Sequence, residues 1–191
     1  SGMAVQSARI GQMDLESELK NYRKGKYIGI VQRLDQPVEG VLVFGKTPQA
    51  TAALNKQHQN GAMKKEYLAV FTGTPAKEAR GTWEDYLVKD GKTNTSRVTG
   101  NRLAKKAVLS YEILDWKKDR GLAKIQLGTG RHHQIRVQMA HHGMPLWADG
   151  KYKKKEELLE EEQGTAIGLC AWRLEFAHPK TGKKMKFEVQ P

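Results

Sequence analysis

Alternation of apolar and polar residues is the feature that most constrains the fold of this chain. In residues 122–127, the apolar Ala123, Ile125 and Leu127 alternate with polar residues, which is typical of a strand with one buried face. Further strands are predicted at 41–44, 66–72, 107–114, 170–176 and 185–189. Turns alone separate several of these strands, and strands outnumber helices. The pattern therefore favours an α+β fold with a mixed, largely antiparallel sheet.

Two helices are predicted in the first third of the chain from their capping residues. Asp14 can cap a polar helix over 14–24, because a carboxylate accepts hydrogen bonds from the first backbone amides. Thr47 followed by proline predicts the start of a second helix. Gly61 suits its end, because glycine adopts the left-handed conformation at low cost. The second helix is therefore predicted over 47–61.

The rest of the chain contains one further helix and two polar stretches. A helix is predicted from about Arg131 to His142, before Gly143 and Pro145. Residues 77–102 are polar and rich in turn residues, which predicts a hairpin or an excursion at the edge of the sheet. The charged run 151–162 predicts a solvated helix or a lid, although its Lys-first, Glu-last order opposes the helix dipole.

The charge balance narrows the choice of partners. The chain has 33 Lys and Arg against 21 Asp and Glu, a net charge of +12, and such a surface attracts polyanions. Nucleic acid is the first expectation. An anionic membrane is the rival, but the sequence offers no convincing basic amphipathic helix with a bulky apolar face. No apolar segment is long enough to span a bilayer, and the single cysteine, Cys170, fits a reducing compartment.

Two short blocks carry candidate catalytic side chains. Asp35 follows Arg33 and Leu34, and a carboxylate beside an arginine can be held ionised and directed into a cleft. The alternative is an aspartate that caps a turn before Pro37. Tyr67 lies at the start of an otherwise apolar strand, where its phenol needs a polar partner or a ligand. A structural tyrosine at the edge of the core is the alternative.

A third block, Gly128–Arg136, leads from a turn into the third helix. A Rossmann interpretation fails, because His133 stands where the third glycine of the fingerprint is required. Arg136 follows Ile135, which shares the apolar helix face with Met139. The guanidinium of Arg136 could therefore enter a site while its methylene chain packs against the core. An exposed surface arginine is the alternative.

Histidines near this helix raise the question of a metal site. His132 and His133 are separated from His141 and His142 by about 12 Å along a continuous helix, at ~1.5 Å per residue. One metal cannot bridge that distance with bonds of about 2 Å. We therefore predict no metal ligands here.

Read together, the blocks resemble the RluA-type pseudouridine synthases, which include the RluD-like enzymes. They occur in the family's order over nearly the whole chain. The matching residues are Arg33-Leu34-Asp35, Gly40–Phe44, Lys46-Thr47, Lys64–Ala69, Gly130–Arg136, Gly143–Leu146 with Asp149 and Tyr152, Leu169–Leu174 and His178-Pro179.

The resemblance implies an α+β catalytic domain with a bifurcated, mostly antiparallel sheet and a basic cleft. It implies that Asp35 is the catalytic aspartate, Tyr67 the aromatic residue on the target base, and Arg136 the partner of the aspartate. No metal or organic cofactor is expected. RNA contacts are expected from five basic residues: Arg33, Lys64, Lys65, Arg131 and His133.

Some positions depart from the family's pattern. Gln32 stands where histidine is common, Val38 and Glu39 where Thr-Ser is usual, and Cys170 where histidine is frequent. We expect 1–191 to be a catalytic domain that lacks the first strand and any N-terminal S4-like domain. The expected substrate is uridine in structured RNA, with large-subunit ribosomal RNA first and transfer RNA next. The expected protein is a cytoplasmic monomer, and the alternative is a catalytically impaired RNA-binding module.

Overall fold

A computed structural model of the chain describes residues 2–7 and 11–190. The described part contains three α-helices, ten strands and two 3-10 turns. In chain order they are α1 (Leu15–Tyr22), β1 (Gly29–Ile30), β2 (Glu39–Gly40), β3 (Phe44–Gly45), α2 (Pro48–Gln59), β4 (Lys64–Thr72), β5 (Arg80–Asp90), β6 (Thr95–Val98), β7 (Lys105–Lys117), β8 (Arg120–Leu127), α3 (Gln134–His141), 3-10 turns at Lys155–Glu157 and Glu160–Glu162, β9 (Leu169–Ala177) and β10 (Lys184–Glu188). Two compact units result. Unit 1 comprises Ser1–Lys65 and Ala171–Pro191, and unit 2 comprises Glu66–Cys170.

The helices of unit 1 begin at the residues that the sequence predicts. Asp14 Oδ1 accepts a hydrogen bond from the Ser17 amide at 2.8 Å, and Thr47 Oγ1 accepts one from the Ala50 amide at 3.1 Å. Gly61 follows α2 with φ of +76°, the left-handed value that favours glycine. Both helix predictions are confirmed, with ends within two residues of those expected.

The core of unit 1 joins α2 to β9. Its buried residues are Val31, Leu54, Met63, Leu174 and Phe176. The side chain of Gln57 also binds the backbone of β9, because Nε2 donates to the Ala177 carbonyl at 2.8 Å and Oε1 accepts from its amide at 2.7 Å. β10 pairs antiparallel with β9, so the two predicted C-terminal strands are confirmed.

The predicted strand over 41–44 is wrong. β2 ends at Gly40 and β3 begins at Phe44. Gly40 has φ of +132°, and a Cβ there would lie 2.3 Å from the Ala171 carbonyl oxygen. This backbone conformation interrupts the extended chain, and the Val41 amide then donates to the Ala171 carbonyl at 2.8 Å. Val41 still packs against the core of unit 1, so its apolar character indicated burial but not a strand.

Unit 2 is built on antiparallel strands in the order β4, β8, β7, β5, β6. β5 and β6 form a hairpin at one end of this order, which confirms the excursion predicted for 77–102. Gly121 on β8 leaves room for the Phe71 ring, since a Cβ there would lie 2.3 Å from that ring. The predicted α+β class with mostly antiparallel strands is confirmed.

Helix α3 begins at Gln134 rather than at Arg131. His133 has φ of +51°, which no α-helical residue adopts. The Gln134 side chain explains this start, because its Oε1 accepts from Thr129 Oγ1 at 2.7 Å and from the Arg131 amide at 3.0 Å. These bonds hold the preceding residues as a turn. The predicted helix is therefore confirmed over 134–141, and its predicted start is wrong.

The charged run 151–162 forms two single 3-10 turns, not a solvated helix. Lys153 Nζ lies 2.6 and 2.8 Å from the two carboxylate oxygens of Glu162, and both side chains are buried. A buried ion pair nine residues apart fixes this segment in an irregular path. Within the described ranges, no helix is long and apolar enough to cross a membrane.

Candidate active site

Asp35 lies in unit 1, in the loop between β1 and β2, and is partly exposed. Its carbonyl accepts a hydrogen bond from the Val38 amide at 2.8 Å. Gln36 forms two bonds with Gly2, because its carbonyl accepts from the Gly2 amide and its Nε2 donates to the Gly2 carbonyl, each at 2.8 Å. Two backbone hydrogen bonds and one from the Gln36 side chain therefore fix the turn that carries Asp35.

Gln32, at the departure before Arg33, is buried. Its Nε2 donates to the Val41 carbonyl at 3.4 Å, a long bond. In the part of the chain that the structure describes, no group hydrogen-bonds its buried Oε1. A buried acceptor without a partner costs stability.

Tyr67 lies on β4 in unit 2, opposite Ile125 of β8, and is buried. It shares one strand face with Ala69 and Phe71, which are fully buried. This burial is compatible with the alternative of a structural tyrosine. A buried phenol requires a polar partner or a ligand, so the functional interpretation stays open at this position.

Arg136 forms a buried ion pair with Asp149 in unit 2. Its Nε donates to Asp149 Oδ2 at 2.8 Å, and its Nη2 donates to Asp149 Oδ1 at 2.6 Å. The side chains are only 5% and 1% exposed. The alternative interpretation of Arg136 as an exposed surface residue is therefore excluded. The sequence blocks contained Asp149, but residue patterns alone did not identify it as the partner of Arg136.

Tyr152 connects Arg136 to the start of α3. The Arg136 guanidinium lies over the Tyr152 ring, 5.2 Å from its centroid. The Tyr152 hydroxyl accepts from the Ser96 amide at 2.8 Å and lies 2.7 Å from His133 Nδ1. The Tyr152 oxygen accepts from the Ser96 amide, so the phenolic proton of Tyr152 can be donated to His133 Nδ1. Tyr152 thus contacts both Arg136 and His133. The sequence did not predict this linking role of Tyr152.

This arrangement keeps His133 neutral. Burial, followed by the charge of Arg136 and then that of His132, lowers the pKa of His133 to about 3. The ring also stacks on His132, with centroids 3.8 Å apart. His133 therefore offers a neutral ring rather than a positive charge, and its predicted contact with RNA stays a prediction.

The remaining basic candidates differ in exposure. Arg33 and Lys64 are exposed, and so is Arg131, whose Nε donates to the Lys106 carbonyl at 2.8 Å. Lys65 is partly buried, with its Nζ 3.4 Å from His58 Nδ1. Burial lowers the pKa of Lys65 to about 8. An anion such as a phosphate near its amine would favour the charged form and raise this pKa.

One group of side chains in unit 2 has the spacing of metal ligands. Ligand atoms of Asp85, His141 and His142 lie within 4.8 Å of one another. Asp85 Oδ2 already bonds His142 Nε2 at 3.0 Å and accepts from Gln138 Nε2 at 2.7 Å. These hydrogen bonds account for the proximity of Asp85 and His142 but not for that of His141. The predicted lack of metal ligands stays a prediction.

A profile of the RNA pseudouridylate synthase family matches residues 1–141. The chain belongs to this family. It is 35% identical over 161 residues to an uncharacterized RNA pseudouridine synthase of Bacillus subtilis, covering 84% of this chain and 51% of the relative. It is 31% identical over 163 residues to ribosomal large subunit pseudouridine synthase C of Buchnera aphidicola, covering 84% and 52%. The chain therefore spans about half the length of these relatives.

Solved structures agree with the fold. Human RNA pseudouridylate synthase domain containing 4 superposes with a TM-score of 0.79 at 18% identity, covering 99% of this chain and 82% of the human chain. Domain containing 1, also human, gives a TM-score of 0.78 at 19% identity, covering 93% and 74%. The predicted family and its fold are thus confirmed.

Proposed function

We propose that this protein isomerises uridine to pseudouridine in RNA. The observation that carries the proposal is the family match over residues 1–141, which include Asp35, Tyr67 and Arg136. The net charge of +12 supports a polyanionic substrate.

The reaction breaks the N1–C1′ bond of uridine, turns the base and forms a C5–C1′ bond. The proton lost from C5 is balanced by one gained at N1, so the overall change is an isomerisation that needs no redox or energy cofactor. We assign Asp35 as the catalytic carboxylate. A carboxylate nucleophile can divide a difficult substitution into two easier steps. We assign Tyr67 to stack on the target base, which offsets part of the few kcal/mol needed to extrude it.

Arg136 is assigned as the guanidinium that orients the catalytic carboxylate. The Asp149 carboxylate supports this assignment, because it neutralises a buried charge and fixes the guanidinium plane through two parallel bonds. Asp149 is then a positioning residue. Lysine cannot reproduce this arrangement, because its ammonium lacks the planar fork of donors.

We propose large-subunit ribosomal RNA as the first candidate substrate, and transfer RNA as the next. Support comes from relatives named ribosomal large subunit pseudouridine synthase. These relatives are bacterial, and a cytoplasmic site of action is part of the same proposal. Arg33, Lys64, Lys65 and Arg131 are assigned to phosphates. Each such contact should add about 0.7–0.9 to the log–log salt dependence of binding.

Tritium release from RNA labelled at C5 of uridine tests the activity. Asp35→Asn should abolish release while RNA binding persists. Asp119→Asn, a matched change at an exposed aspartate in unit 2, should release tritium at the wild-type rate. Substantial release by the Asp35 variant would reject its catalytic role. RNA binding without release by the wild-type protein would instead favour an impaired RNA-binding module.

Pseudouridine mapping identifies the substrate. Ribosomal and transfer RNA from cells that lack this protein should each be compared with RNA from cells in which the wild-type chain is restored. The target is a position where pseudouridine is absent in the deficient cells and present again in the restored cells. Restoration with Asp35→Asn should leave that position as uridine. If every ribosomal position persists in the deficient cells, the ribosomal assignment is wrong.

A further inference from the structure

A short exposed segment of unit 1 combines positive charge with aromatic rings. Residues Lys20 to Tyr27, which we call the basic–aromatic turn, comprise the end of α1 and most of the connection to β1. They contain four cationic side chains and no acidic one. Tyr22 is 86% exposed and Tyr27 is 44% exposed. Aromatic rings between cationic side chains are a feature of surfaces that bind single-stranded nucleic acid.

Most of the charge on the turn is not neutralised within the protein. Lys20 Nζ lies 2.7 Å from Glu16 Oε1. In contrast, no carboxylate in residues 2–7 or 11–190 lies within 4.0 Å of the cationic groups of Arg23, Lys24 or Lys26. Three positive charges therefore remain available to phosphates.

The backbone of the turn is held in one conformation. The Lys24 amide donates to the Asn21 carbonyl at 2.9 Å, and the Gly25 amide donates to the Lys20 carbonyl at 2.8 Å. Arg23 Nη1 closes the loop by donating to the Tyr27 carbonyl at 2.6 Å. The Lys20 and Asn21 carbonyls at this helix end are thus hydrogen-bonded. The turn is preorganised, which lowers the entropic cost of binding.

Tyr27 is anchored while part of its ring stays exposed. Its hydroxyl donates to Thr51 Oγ1 at 3.3 Å. Gly29 makes this position possible, because a Cβ there would lie 2.6 Å from the Tyr27 hydroxyl oxygen. Tyr22 lies at the last residue of α1 and is almost fully exposed. The turn thus presents one fixed ring and one exposed ring beside three cationic groups.

We propose that the basic–aromatic turn binds unpaired nucleotides that flank the target site in the RNA substrate. Tyr22 stacks on a base, and Lys24 and Lys26 contact the adjoining phosphates. The inference rests on the proposed function for the identity of the RNA. An anionic membrane fits less well, because the turn offers tyrosines and lysines rather than bulky aliphatic side chains.

Fluorescence anisotropy with two labelled hairpin RNAs tests the proposal. One hairpin carries single-stranded uridine tails and the other is blunt. Tyr22→Ala should weaken binding of the tailed hairpin roughly tenfold, within the range expected for one stacked base, and should leave the blunt hairpin unchanged. Tyr22→Phe keeps the ring and should bind like wild type. Leu103→Ala, at a side chain that is 95% exposed in unit 2, is the control for loss of exposed apolar surface.

Salt dependence tests the charges separately. Replacing both Lys24 and Lys26 by alanine should reduce the log–log slope for the tailed hairpin by about 1.4, at about 0.7 per phosphate contact on a single strand. The matched control replaces Lys77 and Lys118, two exposed lysines of unit 2, and should leave the slope unchanged. Equal slopes for the two double variants would overturn the assignment of the turn.

Two further outcomes separate this inference from the proposed function. If Tyr22→Ala binds both hairpins like wild type while Asp35→Asn abolishes tritium release, the turn proposal fails and the activity stands. If wild type shows no release but the tailed hairpin still depends on Tyr22, the turn proposal stands and the activity fails. If Tyr22→Ala loses binding to phosphatidylglycerol vesicles but keeps wild-type RNA binding, the turn would be reassigned to a membrane.

Discussion

Replacing Asp149 by asparagine should destabilise the protein strongly through Arg136. The substitution keeps the shape of the side chain but removes the charge that neutralises the buried guanidinium. The pair is bidentate, with bonds of 2.8 and 2.6 Å, and both side chains are at most 5% exposed. Water therefore cannot replace the lost partner. Removing one member of such a pair costs about 3–5 kcal/mol of unfolding free energy.

An exposed pair in unit 2 provides the matched control. Arg120 Nη2 lies 2.7 Å from Glu161 Oε2, but these side chains are 46% and 68% exposed. Glu161→Gln should therefore cost at most about 1 kcal/mol, as is usual for surface ion pairs. The shortest distances in the two pairs are nearly equal, at 2.6 and 2.7 Å, so the difference between the variants measures burial together with the second hydrogen bond of the buried pair.

Urea unfolding followed by circular dichroism measures both effects. In thermal scans Asp149→Asn should lower Tm by roughly 6–20 °C, at about 2–4 °C per kcal/mol for a chain of this size. Replacing the pair by Arg136→Met with Asp149→Leu should recover much of the loss, because apolar residues can substitute for a buried pair. If Asp149→Asn and Glu161→Gln lose equal stability, the argument from burial is refuted.

Two further predictions concern titrating groups. Because the pKa of His133 is lowered to about 3 from 6.5, its ring should stay neutral at pH 5 in an NMR titration. Its contribution to stability is complete above pH 6.5 and is lost as the pH falls towards 3; a ring that titrates near pH 6 would contradict this. Burial lowers the pKa of Lys65 from 10.5 to about 8, so Lys65→Met should raise the unfolding free energy at pH 7, and the gain should vanish above pH 10.5. The same variant should bind RNA more weakly, and unchanged affinity would remove Lys65 from the phosphate contacts.

Elements governed by neighbouring residues could be predicted from the sequence. The caps at Asp14 and Thr47 act on amides three residues away, so a short window of sequence contains both partners. The β5–β6 hairpin likewise depends on local turn residues. The assignment of Asp35 as catalytic came from the family resemblance. The local sequence alone would favour an aspartate that caps a turn.

Features that depend on distant partners could not be predicted in this way. Residues 41–43 are apolar, but the conformation of Gly40 against Ala171 interrupts the strand. The start of α3 depends on one side chain, Gln134, which also donates to the Val108 carbonyl at 3.0 Å. Periodicity reports which face of an element is buried, but it carries no information about such contacts between separate segments.

The Arg136–Asp149 pair limits what substitution of Arg136 alone can reveal about chemistry. Arg136→Ala would leave Asp149 buried without its partner, so lost activity could reflect lost stability of about 3–5 kcal/mol. Arg136→Met with Asp149→Leu removes both charges together and avoids that penalty. If this double variant is folded and binds RNA but releases no tritium, the guanidinium has a chemical role beyond neutralising Asp149. If it retains the wild-type rate, Arg136 serves the fold alone.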